Sequence, residues 1–187
     1  MEHLPLAFAV DIRVRSHNYP LDGVKLLPVE ITEGVVFDRD GVKVTAFEVD
    51  HFAEQLPAYG YRIDYAGRSA ALSGDTTFNE NLIAHAQGTD LLVHEVTAAS
   101  GSAAESAAQL KRISANHTTP EQAGEVFTRV KPRLAVYNHL LLFGGARAED
   151  LIPATRKNYS GPLAVGQDLL QIDIGESVEA RQFREEK

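Results

Sequence analysis

The 187-residue chain contains no cysteine. This absence excludes disulfide bonds and thiolate metal sites, so any metal centre must be built from histidine, aspartate or glutamate. Chains without cysteine fit a reducing compartment, where disulfides are rare. We therefore expect a cytoplasmic protein.

Basic residues are also few. The chain has 18 lysines and arginines against 26 aspartates and glutamates, which gives a net charge of −8. Because phosphate binding normally requires a basic stripe, this balance argues against nucleic acid as a dominant partner. No apolar run approaches the ~20 residues of a membrane helix, and Leu4 to Val10 is too short for a signal peptide. We expect no membrane partner.

Strand-like segments dominate the first half of the chain. Asp11–Arg15 alternates between polar and apolar residues, and Val24–Ile31 is a second strand candidate. The pair Asp40-Gly41 lies between two apolar runs and predicts a hairpin, Gly34–Phe37 with Val42–Asp50. A further hairpin is expected through Ala66-Gly67, between the segments Tyr59–Tyr65 and Ser69–Ser73.

Helical periodicity begins after Asp75. Residues 79–87 place Leu82, Ile83 and Ala86 on one face, and Thr119-Pro120 has the signature of a capped helix start. Further helices are predicted at Ala103–Ile113 and Ala148–Lys157. The predicted strands of this half are Asp90–Val93, Leu134–Tyr137 and a closing pair within Pro162–Ile174. Strands mixed with helices in this order predict the α/β class.

Polar residues with ligand chemistry follow four of the predicted strands: His51, Asp75, the pair His94-Glu95, and His139. In open α/β sheets ligands bind beyond the carboxyl ends of the strands, so four such endings predict a shared site. A lone carboxylate at the end of a buried strand, such as Asp75, is expected to require a cation or another partner. The competing interpretation makes each histidine a hydrogen-bonded loop residue and Asp75 a turn former.

The leading constellation is His51, Asp75 and His139. Two neutral imidazoles and a carboxylate suit zinc, and also iron or manganese. A carboxylate can also bridge two ions about 3.5–4 Å apart. The hypothesis is a metal centre in which these three residues are ligands.

Two further positions could assist such a centre. His117 precedes the capped helix, where an anionic substrate is favoured, and it could give a proton to a leaving group. The competing reading is that His117 only packs or caps. His94 and Glu95 could orient a ligand from behind, as carboxylates do for metal-bound imidazoles, or they could simply end a strand.

Taken together, these motifs resemble the metallo-β-lactamase superfamily, and within it the ribonuclease Z branch. The segments that carry the resemblance are Val49-Asp-His51, Pro57-Ala-Tyr-Gly-Tyr-Arg-Ile63, Ser73-Gly-Asp-Thr76, Val93-His-Glu95, Asn116-His-Thr-Thr-Pro-Glu-Gln-Ala123 and Val136-Tyr-Asn-His139. The resemblance implies an αββα sandwich, with a mixed sheet flanked by helices. It also implies a site for two divalent metals, usually zinc, that activates water for hydrolysis.

The resemblance also implies a role for each residue. His51 is similar to a ligand of one metal, Asp75 to the carboxylate that bridges both metals, and His139 to a ligand of the second. His117 is similar to the histidine that assists phosphodiester cleavage, and His94 and Glu95 match a loop of the same branch. The family's His-x-His-x-Asp-His motif does not occur in this sequence. We therefore expect residues 1–187 to be a single domain that is the C-terminal portion of the fold.

Three functions remain open at this point. The first is a metal-dependent phosphodiesterase similar to ribonuclease Z, with a phosphodiester, a small molecule or RNA as substrate. The second is a catalytically silent fragment or binding module that needs a partner half, which a homodimer could supply. The third is a hydrolase of lactones, β-lactams or sulfate esters, because loops choose the substrate around the same ligands.

Overall fold

The computed structural model describes residues 6–20, 23, 28–51, 56–100, 107–108, 111–112 and 115–182. It divides into two compact units, Met1–Ile31 and Thr32–Lys187. Among the described helices, none has the length and hydrophobicity that crossing a bilayer requires.

The first unit contains helix α1, Ala9–Arg15. The strand predicted for Asp11–Arg15 is therefore wrong. Arg15 Nε lies 2.9 Å from the Asp11 carboxylate, an i,i+4 ion pair that only a helical turn brings together. Of the strand predicted at Val24–Ile31, residues 24–27 lie outside the described part, and residues 28–31 are not in a strand.

The second unit is built on one seven-stranded mixed sheet with the strands in sequence order. Its strands are β1 (Gly34–Arg39), β2 (Val42–Val49), β3 (Ala58–Tyr65), β4 (Arg68–Leu72), β5 (Leu91–Ala99), β6 (Leu134–Phe143) and β7 (Leu163–Val165). Strands β1 to β4 pair antiparallel, and β4 to β7 pair parallel. The predicted α/β class with a mixed sheet is confirmed.

Both predicted hairpins are present. The turn residues Asp40 and Gly41 have φ values of 55° and 80°, and Ala66 and Gly67 have 49° and 75°. Two consecutive left-handed residues form the turn whose twist matches that of antiparallel strands. These turns fix the register of β1 with β2 and of β3 with β4.

Three helices pack on one face of the sheet: α2 (Glu80–Ala86), α3 (Pro120–Val130) and α4 (Ala148–Thr155). The Asn79 side chain caps α2. Thr119 forms a capping box with Gln122 at the start of α3, as predicted. Leu82, Ile83 and Ala86 are buried on the predicted face of α2. Of the helix predicted at Ala103–Ile113, only residues 107–108 and 111–112 are described, and they are helical.

A small hairpin covers part of the opposite sheet face. It consists of β8 (Leu170–Ile174) and β9 (Val178–Gln182), and its apolar side chains pack on Leu91, Leu134 and Val136. Both strands predicted within Pro162–Ile174 are present as β7 and β8, but they do not pair with each other: β7 joins the main sheet beside β6, and β8 pairs with β9. The pairing partner of β8 was missed because β9, Val-Glu-Ala-Arg-Gln, is short and contains only two apolar residues.

The two central strands are longer than predicted. β5 continues through His94 and Glu95 to Ala99, and β6 continues through His139 to Phe143. The expectation that both strands end on these residues is therefore wrong. The register between the two strands shifts in the middle: Glu95 pairs with Asn138, and Val96 pairs with Leu140. His139 is left over as the extra residue of a β-bulge.

Candidate metal centre

Four of the residues singled out in the sequence meet near this bulge. One ligand atom each from His51, Asp75 and His117 lies within 4.8 Å of the other two. His139 Nε2 lies 3.2 Å from Asp75 Oδ2, and the His139 ring is 5.8 Å from that of His117. The structure therefore brings three imidazoles together around the carboxylate of Asp75.

Gly74 determines where Asp75 lies. It has a φ of +63°, and a Cβ added to it would come within 2.6 Å of the Tyr59 carbonyl oxygen. Only glycine fits this combination of left-handed backbone and close approach. The chain then returns to the end of β2, where the Asp50 amide donates to Thr76 Oγ1 at 3.2 Å and the Thr77 amide donates to the Asp50 carbonyl at 2.9 Å. These bonds fix Asp75 beside His51.

One hydrogen bond sets the tautomer of His51. Its Nδ1 lies 2.9 Å from the Asn116 carbonyl oxygen. Because a carbonyl oxygen only accepts, Nδ1 carries the proton and Nε2 keeps a lone pair for an electrophile. A backbone carbonyl behind the imidazole is a common arrangement at metal sites.

The β-bulge gives His139 its direction. In a regular strand, residues 138 and 140 would lie on the same face, with residue 139 on the other. Here His139 has a φ of +41° and no partner in β5, so its side chain leaves the alternation of β6. Bulges frequently redirect a side chain beside an active site.

Glu95 lies beneath the cluster and is buried. It accepts hydrogen bonds from the amides of Thr118 at 2.8 Å and Thr76 at 3.4 Å. Its other oxygen, Oε2, lies 3.3 Å from His117 Nδ1. Burial raises the pKa of Glu95 to about 8, although the two amide bonds lower it. Burial lowers the pKa of His117, and the neighbouring His51 adds to the effect.

Two of these buried atoms have no hydrogen-bond partner among the described residues: Glu95 Oε2 and His117 Nδ1. They face each other at 3.3 Å without hydrogen-bond geometry. Unsatisfied buried polar atoms are rare and often mark a functional site. The imidazole and carboxylate donors around Asp75 fit a divalent metal such as zinc, which prefers nitrogen and oxygen ligands of this kind.

His94 lies apart from the cluster. Its ring packs edge-on against Phe127 of α3, with ring centroids 5.7 Å apart, and its Nδ1 donates to the Glu95 carbonyl at 2.6 Å. The side chain is fully buried among core residues, and this burial lowers its pKa to about 4. An orienting role for His94 stays a prediction, whereas its packing against the helix layer is evident.

The buried His94 predicts acid sensitivity. Its pKa in the folded chain lies below the ordinary value of about 6.5, so the unfolded chain binds the proton more tightly and acid favours unfolding. The contribution of His94 to the free energy of unfolding is complete above about pH 6.5. It falls by up to about 3 kcal/mol as the pH decreases towards 4. Urea unfolding followed by circular dichroism at several pH values measures it.

The variant His94→Asn is the comparison for this experiment. Its amide nitrogen can donate in place of Nδ1 but binds no proton in this range. The free energy of unfolding of this variant should fall less steeply between pH 6.5 and pH 4. Parallel curves for the two proteins would contradict the assignment of this acid sensitivity to His94.

The sequence did not reveal the backbone groups that support the centre. These are the amides of Thr76 and Thr118, which hold Glu95, and the carbonyl of Asn116, which holds His51. Backbone groups carry no residue-type signal. The one available hint was that polar residues flank both Asp75 and His117.

Comparison with known proteins gives a consistent result. A family model described as a β-lactamase superfamily domain matches residues 4–140. The chain is 30% identical over 186 residues to ribonuclease Z of Mycolicibacterium gilvum (strain PYR-GCK), which covers 97% of this chain and 64% of that protein. It is 32% identical over 162 residues to ribonuclease Z of Mycobacterium avium (strain 104), with 85% and 57% covered. The chain thus spans only about 57–64% of these relatives.

Solved structures show the same fold at low sequence identity. The metallo-β-lactamase fold protein YhfI from Bacillus subtilis superposes with a TM-score of 0.61 at 14% identity, covering 86% of this chain and 60% of that one. A diphosphatase of the PhnP family gives a TM-score of 0.57 at 16% identity, with 89% and 56% covered. The resemblance inferred from the sequence is confirmed: the chain belongs to the metallo-β-lactamase superfamily of metal-dependent hydrolases.

Proposed function

We propose that the chain acts as a metal-dependent phosphodiester hydrolase similar to ribonuclease Z, with RNA among its candidate substrates. One observation carries the proposal: His51, Asp75, His117 and His139 converge in a chain whose curated relatives are named ribonuclease Z. We also propose that residues 1–187 form one domain, the C-terminal portion of the superfamily fold.

In this proposal His51, Asp75 and His139 would hold two divalent metals, and Asp75 would be the ligand that both metals share. The His51 tautomer and the short distance from Asp75 to His139 support these roles. Zinc fits the donor set best, with iron and manganese as alternatives. When bound, a divalent ion supplies Lewis-acid chemistry, which polarises a phosphoryl oxygen and generates a nucleophile from water near neutral pH.

His117 supplies the proton for the leaving oxygen. Its pKa is lowered by burial and by the imidazole of His51, so the charged form readily gives up its proton. The buried carboxyl group of Glu95 lies 3.3 Å from His117 Nδ1. The geometry also favours a second assignment, in which His117 is itself a ligand, because its ligand atom lies within 4.8 Å of those of His51 and Asp75.

A pair of substrates separates the two roles of His117. A general acid matters most when the leaving group is poor, and its contribution is about 10²–10⁴-fold. If His117 is the general acid, the variant His117→Ala should keep its bound metal. It should lose much more activity on an alkyl phosphodiester than on bis(p-nitrophenyl) phosphate. If His117 is a metal ligand, the same variant should lose its metal and both activities. Elemental analysis after dialysis against zinc, with hydrolysis assays, measures this.

Two variants are the controls for this experiment. His139→Ala should lose metal and both activities, whereas His17→Ala removes an exposed histidine of the first unit and should change neither. A chain that carries metal and hydrolyses neither phosphodiester would contradict the proposed function.

A cytoplasmic homodimer is the form that we propose for the active protein. The sheet face opposite the helices exposes Phe37, Tyr65 and Leu72, and a second copy could cover them. Light scattering of the purified chain measures this, and a monomer at micromolar concentration would contradict it.

A further inference from the structure

A cavity of about 440 Å³ lies beside His139, on the sheet face opposite the helices. Its apolar lining comes from Val93 and Val136 of the sheet and from Leu170 and Ile172 of β8. Its polar lining includes three exposed side chains, Asn138, Gln167 and Asp168. The volume lies in the range of small-molecule sites, which are typically about 300–1,000 Å³.

The cavity adjoins the candidate metal centre through a shared residue. His139 belongs to its lining, and His139 Nε2 is 3.2 Å from Asp75 Oδ2. A ligand whose phosphate is held at the candidate metal centre would therefore place the adjoining part of the molecule in or near the cavity.

The segment that carries Gln167 and Asp168 is held in place by backbone contacts. The Gly166 amide donates to the Tyr137 carbonyl at 2.8 Å, and a Cβ on Gly166 would come within 2.4 Å of that oxygen. At the other end, Gln182 Nε2 of β9 donates to the Asp168 carbonyl at 2.7 Å. A lining fixed in this way is preorganised for a ligand.

The charge of the lining indicates which part of a ligand fits. The described lining includes no lysine or arginine, and Asp168 contributes a carboxylate. A phosphate is therefore disfavoured inside the cavity, and an uncharged group with an apolar body is favoured. The carboxylate accepts hydrogen bonds, so the edge that faces it should carry N–H donors.

The two carboxamides of the lining can both donate hydrogen bonds to a ligand and accept them from it. Asn138 and Gln167 each offer two N–H donors and one carbonyl acceptor. Within the described part of the chain, neither side chain forms a hydrogen bond, so both can bond a ligand. An apolar floor with carboxamides and a carboxylate at its edge matches a planar heterocycle with an exocyclic amino group.

We propose that this cavity binds a nucleobase that carries an amino group, next to the phosphodiester held at the metal centre. The inference rests on the proposed function, because it is the phosphodiester that places a nucleobase beside Asp75. Adenine, guanine and cytosine carry such an amino group, and uracil does not. Asn138, Gln167 and Asp168 then determine which nucleotide lies beside the scissile bond.

Nucleosides test the cavity separately from hydrolysis, because they have no phosphate and need no metal. Binding of adenosine, guanosine, cytidine and uridine to the metal-free chain can be measured by ligand-observed NMR titration. At least one amino-bearing nucleoside should bind about 10-fold more tightly than uridine, since one or two hydrogen bonds are lost with the amino group. Asn138→Ala and Gln167→Ala should each weaken the binding of that nucleoside about 3- to 10-fold.

Gln171→Ala is the matched control. Gln171 is an exposed carboxamide of β8, between Leu170 and Ile172 but on the other face of the strand, and its loss should leave binding unchanged. Equal binding of uridine and the amino-bearing nucleosides would overturn the inference. So would equal binding of p-cresol, a planar ring without an amino group, or wild-type affinity in both carboxamide variants.

The two proposals fail in different ways. Selective nucleoside binding in a metal-loaded chain that hydrolyses no phosphodiester would support the cavity and overturn the proposed function. Hydrolysis of phosphodiesters by a chain that binds no nucleoside selectively would support the proposed function and overturn the cavity.

Discussion

Asp75→Ala should abolish tight zinc binding. Asp75 is the residue that the others surround: its carboxylate oxygen lies 3.2 Å from His139 Nε2 and within 4.8 Å of the ligand atoms of His51 and His117. Loss of groups that only support a metal ligand weakens metal affinity about 10- to 100-fold, so loss of a shared ligand should cost more than about 100-fold. Isothermal titration of the apo chain with zinc measures this without any assay of activity.

The fold should tolerate this change. The Asp75 side chain is 38% exposed, and substitutions of such side chains usually alter the free energy of unfolding by no more than about 0.5 kcal/mol. Asp75→Asn separates charge from shape, because it keeps the size of the side chain and removes its charge. Asp38→Ala, at an exposed position of β1, is the control and should bind zinc as the wild type does. Wild-type zinc affinity in Asp75→Ala would show that the centre has been placed wrongly.

Phe127→Ala should have the largest effect on stability. The side chain is completely buried and contacts the rings of His94, Tyr137 and Tyr159, at centroid distances of 5.7, 5.5 and 5.4 Å. Truncation of a buried phenylalanine typically costs about 3–5 kcal/mol, because apolar burial is lost and a cavity remains. That is a large part of the ~5–15 kcal/mol by which a domain is stable. Urea unfolding of the two proteins gives the difference.

Phe37→Ala is the matched control for the core substitution. Phe37 lies in β1 of the same sheet and is 41% exposed, so its removal leaves little or no cavity. Its loss should lower the free energy of unfolding by less than about 1 kcal/mol. Similar losses for Phe37→Ala and Phe127→Ala would contradict the layer arrangement, in which the helices bury one face of the sheet.

The sequence predicted best those elements that local chemistry specifies. Asp40-Gly41 and Ala66-Gly67 supply the left-handed residues that two hairpins need. The side chain of Thr119 caps α3. The three apolar residues of α2 were recognised because their spacing follows the helical period. Each of these features depends on neighbours within four positions along the chain.

The predictions from the sequence were wrong where the structure depends on pairing between residues far apart along the chain. The ends of β5 and β6 were placed too early because polar residues such as Glu95 and Asn138 interrupt the apolar runs, whereas in the sheet each strand continues by pairing with the other. Helix α1 was missed because seven residues can show both alternation and helical spacing. The β-bulge at His139 has no local signature, since it exists only relative to the register of β5.

The sequence indicated the residues of the candidate site but not the backbone contacts that hold them. His51, Asp75, His117 and His139 were all singled out by their positions after strands or before a helix. What holds them could not be predicted, because it consists of backbone carbonyls and amides from distant segments, such as Asn116 behind His51 and Thr118 behind Glu95. Contacts of that kind appear only once the strands are in register.

The β-bulge makes His139 separable from the sheet that carries it. On either side of His139, Asn138 pairs with Glu95 and Leu140 pairs with Val96, so the ladder between the strands is continuous if residue 139 is left out. Deletion of residue 139 would therefore leave β5 and β6 paired in the same register and would remove only the imidazole that lies 3.2 Å from Asp75.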